Sequence, residues 1–144
     1  TKQPSAPPIA PFLHTNGCGD FTLLARSAWE DLRGYPEFPI FSMNIDSLFC
    51  FTAVAAGLQE VELTTPMRVY HIEHGTGSGW SPSGEAALRA RIARSGIPWL
   101  ENPTVMHWAA QMTAFNTPMI FSPADWGLAQ LPLPEHSVTP SLNP

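Results

Sequence analysis

Two places along the 144 residues carry side chains able to do acid–base or metal chemistry. One is His71-Ile72-Glu73-His74, where the apolar, β-branched stretch Met67–Ile72 gives way to a glycine- and serine-rich loop. Side chains alternate along a strand, so His71 and Glu73 would share a face, and His74 at the strand end could turn to either. An imidazole and a carboxylate converging there could ligate a divalent cation or work as an acid–base pair. Against this stands the simpler reading that these are polar residues at a loop mouth, bonded to backbone. Two histidines fall short of the three or four protein ligands of a zinc site, and their i, i+3 spacing in a strand is not the zinc-protease arrangement on a helix. The other place is Asp46, a carboxylate at the start of an apolar helix beside the aromatic and proline loop Tyr35–Phe41. There it could serve as a base or a substrate hook, or simply cap and charge the first turn.

Around these lie weaker candidates. Trp80 could stack on a sugar or a base, or plug a hydrophobic gap. Gly75, Gly77 and Gly79 would let the preceding loop fold over a ligand. Asp20 is a second acid near the opening stretch, while Asp31 reads as solvated helix surface. The turn Thr15–Asp20 contains Gly17 and Gly19, which permit a positive φ or a close backbone approach, but it lacks the lysine and spacing of a phosphate loop. No Gly-x-Ser-x-Gly elbow occurs, and Cys18 has only His14 nearby in sequence.

The elements that must position these residues follow from pattern and punctuation. Residues 1–11 carry four prolines and read as a linker or extended arm. A buried strand is predicted at Phe21–Ala25, leading into a helix at Ser27–Arg33 with Ser27 as cap, Glu30 as its capping-box partner and Gly34 as stop. A largely buried helix is predicted from Asp46 to Leu58, stopped by Gly57. Strands are predicted at Glu60–Leu63 and Met67–Ile72. An amphipathic helix follows at Gly84–Ser95, with Leu88 and Ile92 one turn apart and arginines opposite. Asn102-Pro103 opens a last helix, Thr104–Met112. From Asn116 onward prolines dominate and loop is expected, with one ordered turn at Asp125–Leu128. The fold class is therefore α/β: a small mixed sheet packed by three to four helices, with proline-rich termini. The segments are a 1–11 arm, a 12–115 body and a 116–144 tail.

Composition narrows the function classes. A hydrophobic content of 44% with 10% aromatics suits a folded domain, whereas a charged content of 13% leaves much neutral surface, as in a piece that packs against something else. A net charge of −5, with seven basic residues in no run, argues against a nucleic-acid partner. No apolar run approaches a membrane span and no leader pattern begins the chain, so a cytoplasmic protein is expected, reaching a membrane only through a partner. Cys18 and Cys50 could pair, but one possible bridge is weak evidence for an oxidising compartment, and reduced thiols are expected.

GCGDFTLLARSAWEDLRGYPE (Gly17–Glu37) followed by NIDSLFCFTAVAAG (Asn44–Gly57) resembles the C-terminal segment of galactosyltransferase-like, nucleotide-sugar glycosyltransferases of the GT-A fold. The similarity spans about Asn16–Trp80, and more faintly Asp125–Leu128. It implies a partial GT-A fold and the acceptor-side part of an enzyme that moves a sugar from a nucleotide-sugar donor to a glycan or other hydroxyl acceptor. By that similarity Asp46 is the base that deprotonates the acceptor, and His71 or His74 completes a site for Mn²⁺ or Mg²⁺. Trp80, Gly79, Asp20 and Glu73 are then the substrate-contact candidates. The chain departs from the family in two ways. Asn44-Ile45-Asp46 stands where an acidic pair is usual, and no Asp-x-Asp, the motif that holds the cation at the leaving diphosphate, occurs. The donor half is accordingly expected on an N-terminal half or a partner chain, and little activity is expected of residues 1–144 alone. The competing expectation is a non-catalytic interaction or glycan-binding module of the same shape. A third is a small metal hydrolase built on His71 and His74.

Overall fold

The computed structural model describes residues 13–15, 18–19, 21–70, 83–127, 131–132 and 134. Within them the chain forms four helices, α1 (Arg26–Leu32), α2 (Ile45–Ala55), α3 (Glu85–Ser95) and α4 (Asn102–Phe115).

Helix α2 is central because apolar residues cover two of its sides. Leu48 meets Leu100 and α4 residues Val105 and Met112 in one buried cluster, while Phe49 and Ala53 meet Leu32 of α1 in a second. On α4 the buried Val105, Ala109 and Met112 recur at i, i+4 and i+7, so a single apolar stripe faces α2. Thr52 is the polar exception in this core. Its hydroxyl donates back to the Leu48 carbonyl at 3.1 Å, which removes the cost of burying it. Trp29 stacks on Phe49 with ring centroids 4.6 Å apart, and Tyr35 meets Phe49 edge-on, so the aromatic loop closes over the α1 side.

The ends of the helices explain the turns. Helix α1 starts one residue before Ser27, with Ala25 at the cap and no side-chain cap bond. Glu30, expected to complete a capping box, instead accepts from Arg26 Nε at 2.7 Å. At the other end Arg33 and Gly34 both adopt left-handed φ, and Gly34 N–H donates to the Trp29 carbonyl at 3.0 Å. A Cβ on Gly34 would come within 2.7 Å of the Trp126 ring, so this glycine serves both the turn and the seat of the tail. The turn expected around Trp126 is present as far as Gly127, whose N–H donates to Glu37 Oε1 at 2.6 Å; Leu128 lies outside the described residues. Helix α3 buries Leu88 and Ile92 as its pattern requires, and α4 begins with proline in its first turn.

The expected mixed α/β sheet, and with it the partial GT-A architecture, is not what the chain forms. Among the described residues there is no strand, and pairing is limited to one parallel bridge between Phe41 and Trp99, closed by Phe41 N–H to the Pro98 carbonyl at 2.8 Å. The segments predicted as strands at Phe21–Ala25, Glu60–Leu63 and Met67–Ile72 carry no ladder where they are described. The reason is physical: β-branched and aromatic composition reports fitness for a pleated, half-buried surface, and a strand exists only where a second strand takes up its N–H and C=O groups. No such partner stands beside these segments among the described residues, and residues 61–70 are all exposed.

Candidate functional site

Asp46 lies in the first turn of α2, and the surroundings of its carboxylate are set by two anchors. Asn44 precedes the helix in a left-handed conformation, and its side-chain Nδ2 donates to the Leu100 carbonyl at 2.8 Å instead of capping α2. That bond ties the start of the helix to the segment leading into α4. On the other side the Cys18–Gly19 turn comes down onto the helix, held by Thr22 Oγ1 donating to the Cys18 carbonyl at 2.6 Å. Gly19 passes so close that a Cβ there would lie 2.8 Å from Asp46 Oδ2. The backbone of this turn thus lies close against the Asp46 carboxylate.

Cys18 is the side chain that meets Asp46. The residue is 7% exposed, and its thiol lies 3.2 Å from Asp46 Oδ2 and 2.9 Å from the Thr15 carbonyl, with Ser47 Oγ at 3.9 Å. The Cys50 thiol, on the same groove wall, is its other electrostatic neighbour. One S–H thus faces a sulfur, a carbonyl and a carboxylate, and both cysteines are free thiols. The bond to Cys50, burial and the Asp46 carboxylate together push the Cys18 thiol far up, so it stays protonated. The same bond, received by Cys50, draws that thiol below its ordinary range against the opposing effect of burial. The nearby Tyr35 phenol is raised, chiefly by burial.

Cys18 and Cys50 open onto a groove of about 960 Å³ running along α2. His14 lines it as well. Its backbone N–H donates to Glu60 Oε1 at 3.1 Å, and its ring Nδ1 lies 3.3 Å from Glu60 Oε2. Most of the wall is apolar, including Leu23, Val61, Leu63 and Val69. Asp46 is not part of this wall and reaches the groove through Cys18.

Of the residues singled out in the sequence, Asp46 is described, and its carboxylate meets the Cys18 thiol. Asp20, His71, Glu73, His74, Gly79 and Trp80 lie outside the described residues, so the convergence of Asp46 with His71 or His74 falls there too. Among the described residues no group of three His, Cys, Asp or Glu side chains could hold a metal ion, so the donors present here do not fit a cation site. Sequence reasoning missed the Cys18–Asp46–Cys50 cluster. One available signal was the spacing of Cys50, four positions after Asp46 and three after Ser47, which makes it a neighbour of both on the helix surface. The His14–Glu60 contact spans 46 positions and left no local trace.

No helix among the described residues is long and apolar enough to cross a membrane. No protein-family model matches the chain, and neither a curated protein nor a solved structure matches it.

Proposed function

We propose that the chain is the acceptor-side part of a glycosyltransferase, with Asp46 as the base that takes the proton from an acceptor hydroxyl as it attacks the anomeric carbon of a nucleotide-sugar. The observation that carries this reading is how Asp46 is used. It sits in the first turn of a buried helix, yet the helix has no side-chain cap bond, and the carboxylate's one protein donor among the described residues is the Cys18 thiol on Oδ2. Oδ1 keeps its lone pairs for another proton. A capping aspartate would turn its oxygens back onto the N–H groups of its own helix, so this placement favours a base or hook over a cap. The resemblance of Gly17–Glu37 and Asn44–Gly57 to nucleotide-sugar transferases supplies the substrate class.

The chain has no Asp-x-Asp and its described residues do not fit a cation site, so no step is routed here through Mn²⁺ or Mg²⁺. The groups that accept charge on the leaving diphosphate belong to a further polypeptide segment, an N-terminal half or a partner chain, and the apolar groove beside α2 is a surface on which such a segment could seat. Two neighbouring cysteines kept as thiols suit a reducing, cytoplasmic setting.

The test is release of nucleoside diphosphate from a panel of nucleotide-sugars, with Mn²⁺ and a hydroxyl acceptor, by the full-length protein. Release that requires acceptor and is lost in Asp46→Asn supports the reading; no release from any donor overturns it. The open groove favours a second reading, a non-catalytic interaction or glycan-binding module. Saturable glycan binding without turnover, unchanged by Asp46→Asn, is its signature.

A further inference from the structure

We propose that Cys18 and Cys50 form a reversible oxidation site: a small disulfide of the glutathione type converts the two thiols into an intramolecular disulfide, which removes the S–H held against Asp46. The geometry points to it. Cys18 Sγ sits over the face of α2 formed by Asp46, Ser47 and Cys50, at 3.2 Å from the first and 3.9 Å from the second. Cys50 follows these by four and three positions, the next place on that face. Both thiols belong to the groove wall, so a reagent that enters the groove meets them together.

The two cysteines divide the work of the exchange. Cys50 is half-buried on the groove, and the neighbouring Cys18 thiol draws its own thiol below the ordinary range. As thiolate it attacks one sulfur of the small disulfide. An S–S bond forms between Cys50 and one half of the reagent, and the other half leaves as a thiolate that takes up a proton. Cys18 is buried and protonated, hence inert on its own, but it lies against the mixed disulfide. It gives its proton to solvent and attacks the Cys50 sulfur, expelling the second half of the reagent, which is protonated in turn. Two protein thiols are oxidised and one small disulfide is reduced to two thiols.

The consequence for Asp46 rests on its reading as the base. In the reduced chain Oδ2 accepts from Cys18; in the oxidised chain that donor is gone and both carboxylate oxygens are open to an acceptor hydroxyl. Oxidation would therefore unmask the base.

The experiment uses the whole chain and does not read activity first. The protein is incubated with oxidised glutathione and examined by intact mass and non-reducing peptide mapping. The expected product has lost two hydrogens, carries a Cys18–Cys50 cross-link, titrates no free thiol and returns to the starting mass with dithiothreitol. Cys18→Ser should stop at the mixed disulfide on Cys50, whereas Cys50→Ser should stay unmodified. A glutathione adduct that persists in the wild-type chain, an intermolecular dimer, or no change in mass overturns the proposal. Carbodiimide labelling then compares Asp46 in the two states: greater labelling after oxidation supports the unmasking, and equal labelling overturns it. A chain that passes these tests while Asp46→Asn leaves turnover intact loses the base assignment and keeps the oxidation site.

Discussion

The two flanks of α2 are built from similar residues and treated in opposite ways. On the α4 side Leu48, Val105 and Met112 are at most 1% exposed. On the groove side Val61, Leu63 and Val69 keep 75%, 48% and 58% of their surface in water. Fully burying such a side chain is worth about 1.5–3 kcal/mol, so the first flank stabilises the fold and the second leaves that energy unused. What separates them is not hydrophobicity but the presence of a facing element. Helix α4 presents a stripe to Leu48, whereas among the described residues no element faces Val61 and Val69. Cys18, Asp46 and Cys50 lie near the start of α2, where the packed flank gives way to the open one, and a polar cluster there is supported by rigid packing on one side and reachable from the other.

The sharpest way to break this comparison is to remove charge at the boundary. Asp46→Asn keeps the shape and the acceptor oxygen for Cys18 but cannot take a proton, so transfer should fall by about 10²–10⁴-fold, the usual contribution of a general base. The melting temperature should move little, because no cap bond is lost. A comparable fall in melting temperature would show that Asp46 belongs to the packed flank.

Next comes the α1 side of α2, where Phe49 is packed as tightly as the α4 flank although it also borders the groove. Phe49 is 1% exposed and stacked on Trp29, so Phe49→Ala should cost about 3–5 kcal/mol in denaturant unfolding, the range for a buried aromatic truncated to a cavity. A cost below about 1 kcal/mol would mean that the α1 side collapses into the space, and that the two flanks differ less than their exposures indicate.

Two glycines offer a finer contrast, because both adopt left-handed φ and only one is crowded. Gly34→Ala adds a Cβ 2.7 Å from a Trp126 ring atom, on top of the backbone strain at φ +63°. Gly57→Ala, at φ +89°, meets nothing within 4 Å. Gly57→Ala should cost about 1 kcal/mol from strain alone, and Gly34→Ala about 1–3 kcal/mol with its clash. In a double-mutant cycle, Trp126→Ala should return part of the Gly34→Ala loss and none of the Gly57→Ala loss.

Much of this was legible in the sequence, for reasons that differ by residue. Leu88 and Ile92, Gly34, Gly57 and Pro103 are local signals, and local signals survive into structure: periodicity, a positive φ, a proline in a first turn. The strands expected at 60–63 and, in its described part, 67–70 failed because their existence depends on something outside the segment, a ladder partner, which no stretch of sequence contains within itself. The candidate site divides along the same line. Asp46 was legible from its place at a helix start. Its meeting with Cys18, 28 residues earlier, and the meeting of His14 with Glu60, depend on how the 13–25 segment lies across α2. The capping box at Ser27 and Glu30 was a sound local pattern displaced by another local bond, Arg26 to Glu30.

The smallest expected effect bears most directly on what the open flank is for. Val61 is exposed, forms no hydrogen bond across to another segment among the described residues, and sits on the groove wall. Val61→Ser should change the unfolding free energy of the chain by no more than about 0.5 kcal/mol, as for a surface site away from special features. A larger loss would show that the groove is closed over Val61 in solution by part of this same chain. With the small change established, the same substitution becomes a probe of occupancy. If a donor-side segment seats on the groove, Val61→Ser puts a hydroxyl against its apolar face and should weaken donor turnover in the assembled protein, while leaving the reaction of Cys50 with oxidised glutathione in the isolated chain as it was. Turnover that ignores Val61→Ser would move that segment elsewhere on the molecule and leave the groove to ligands that enter past His14 and Cys50.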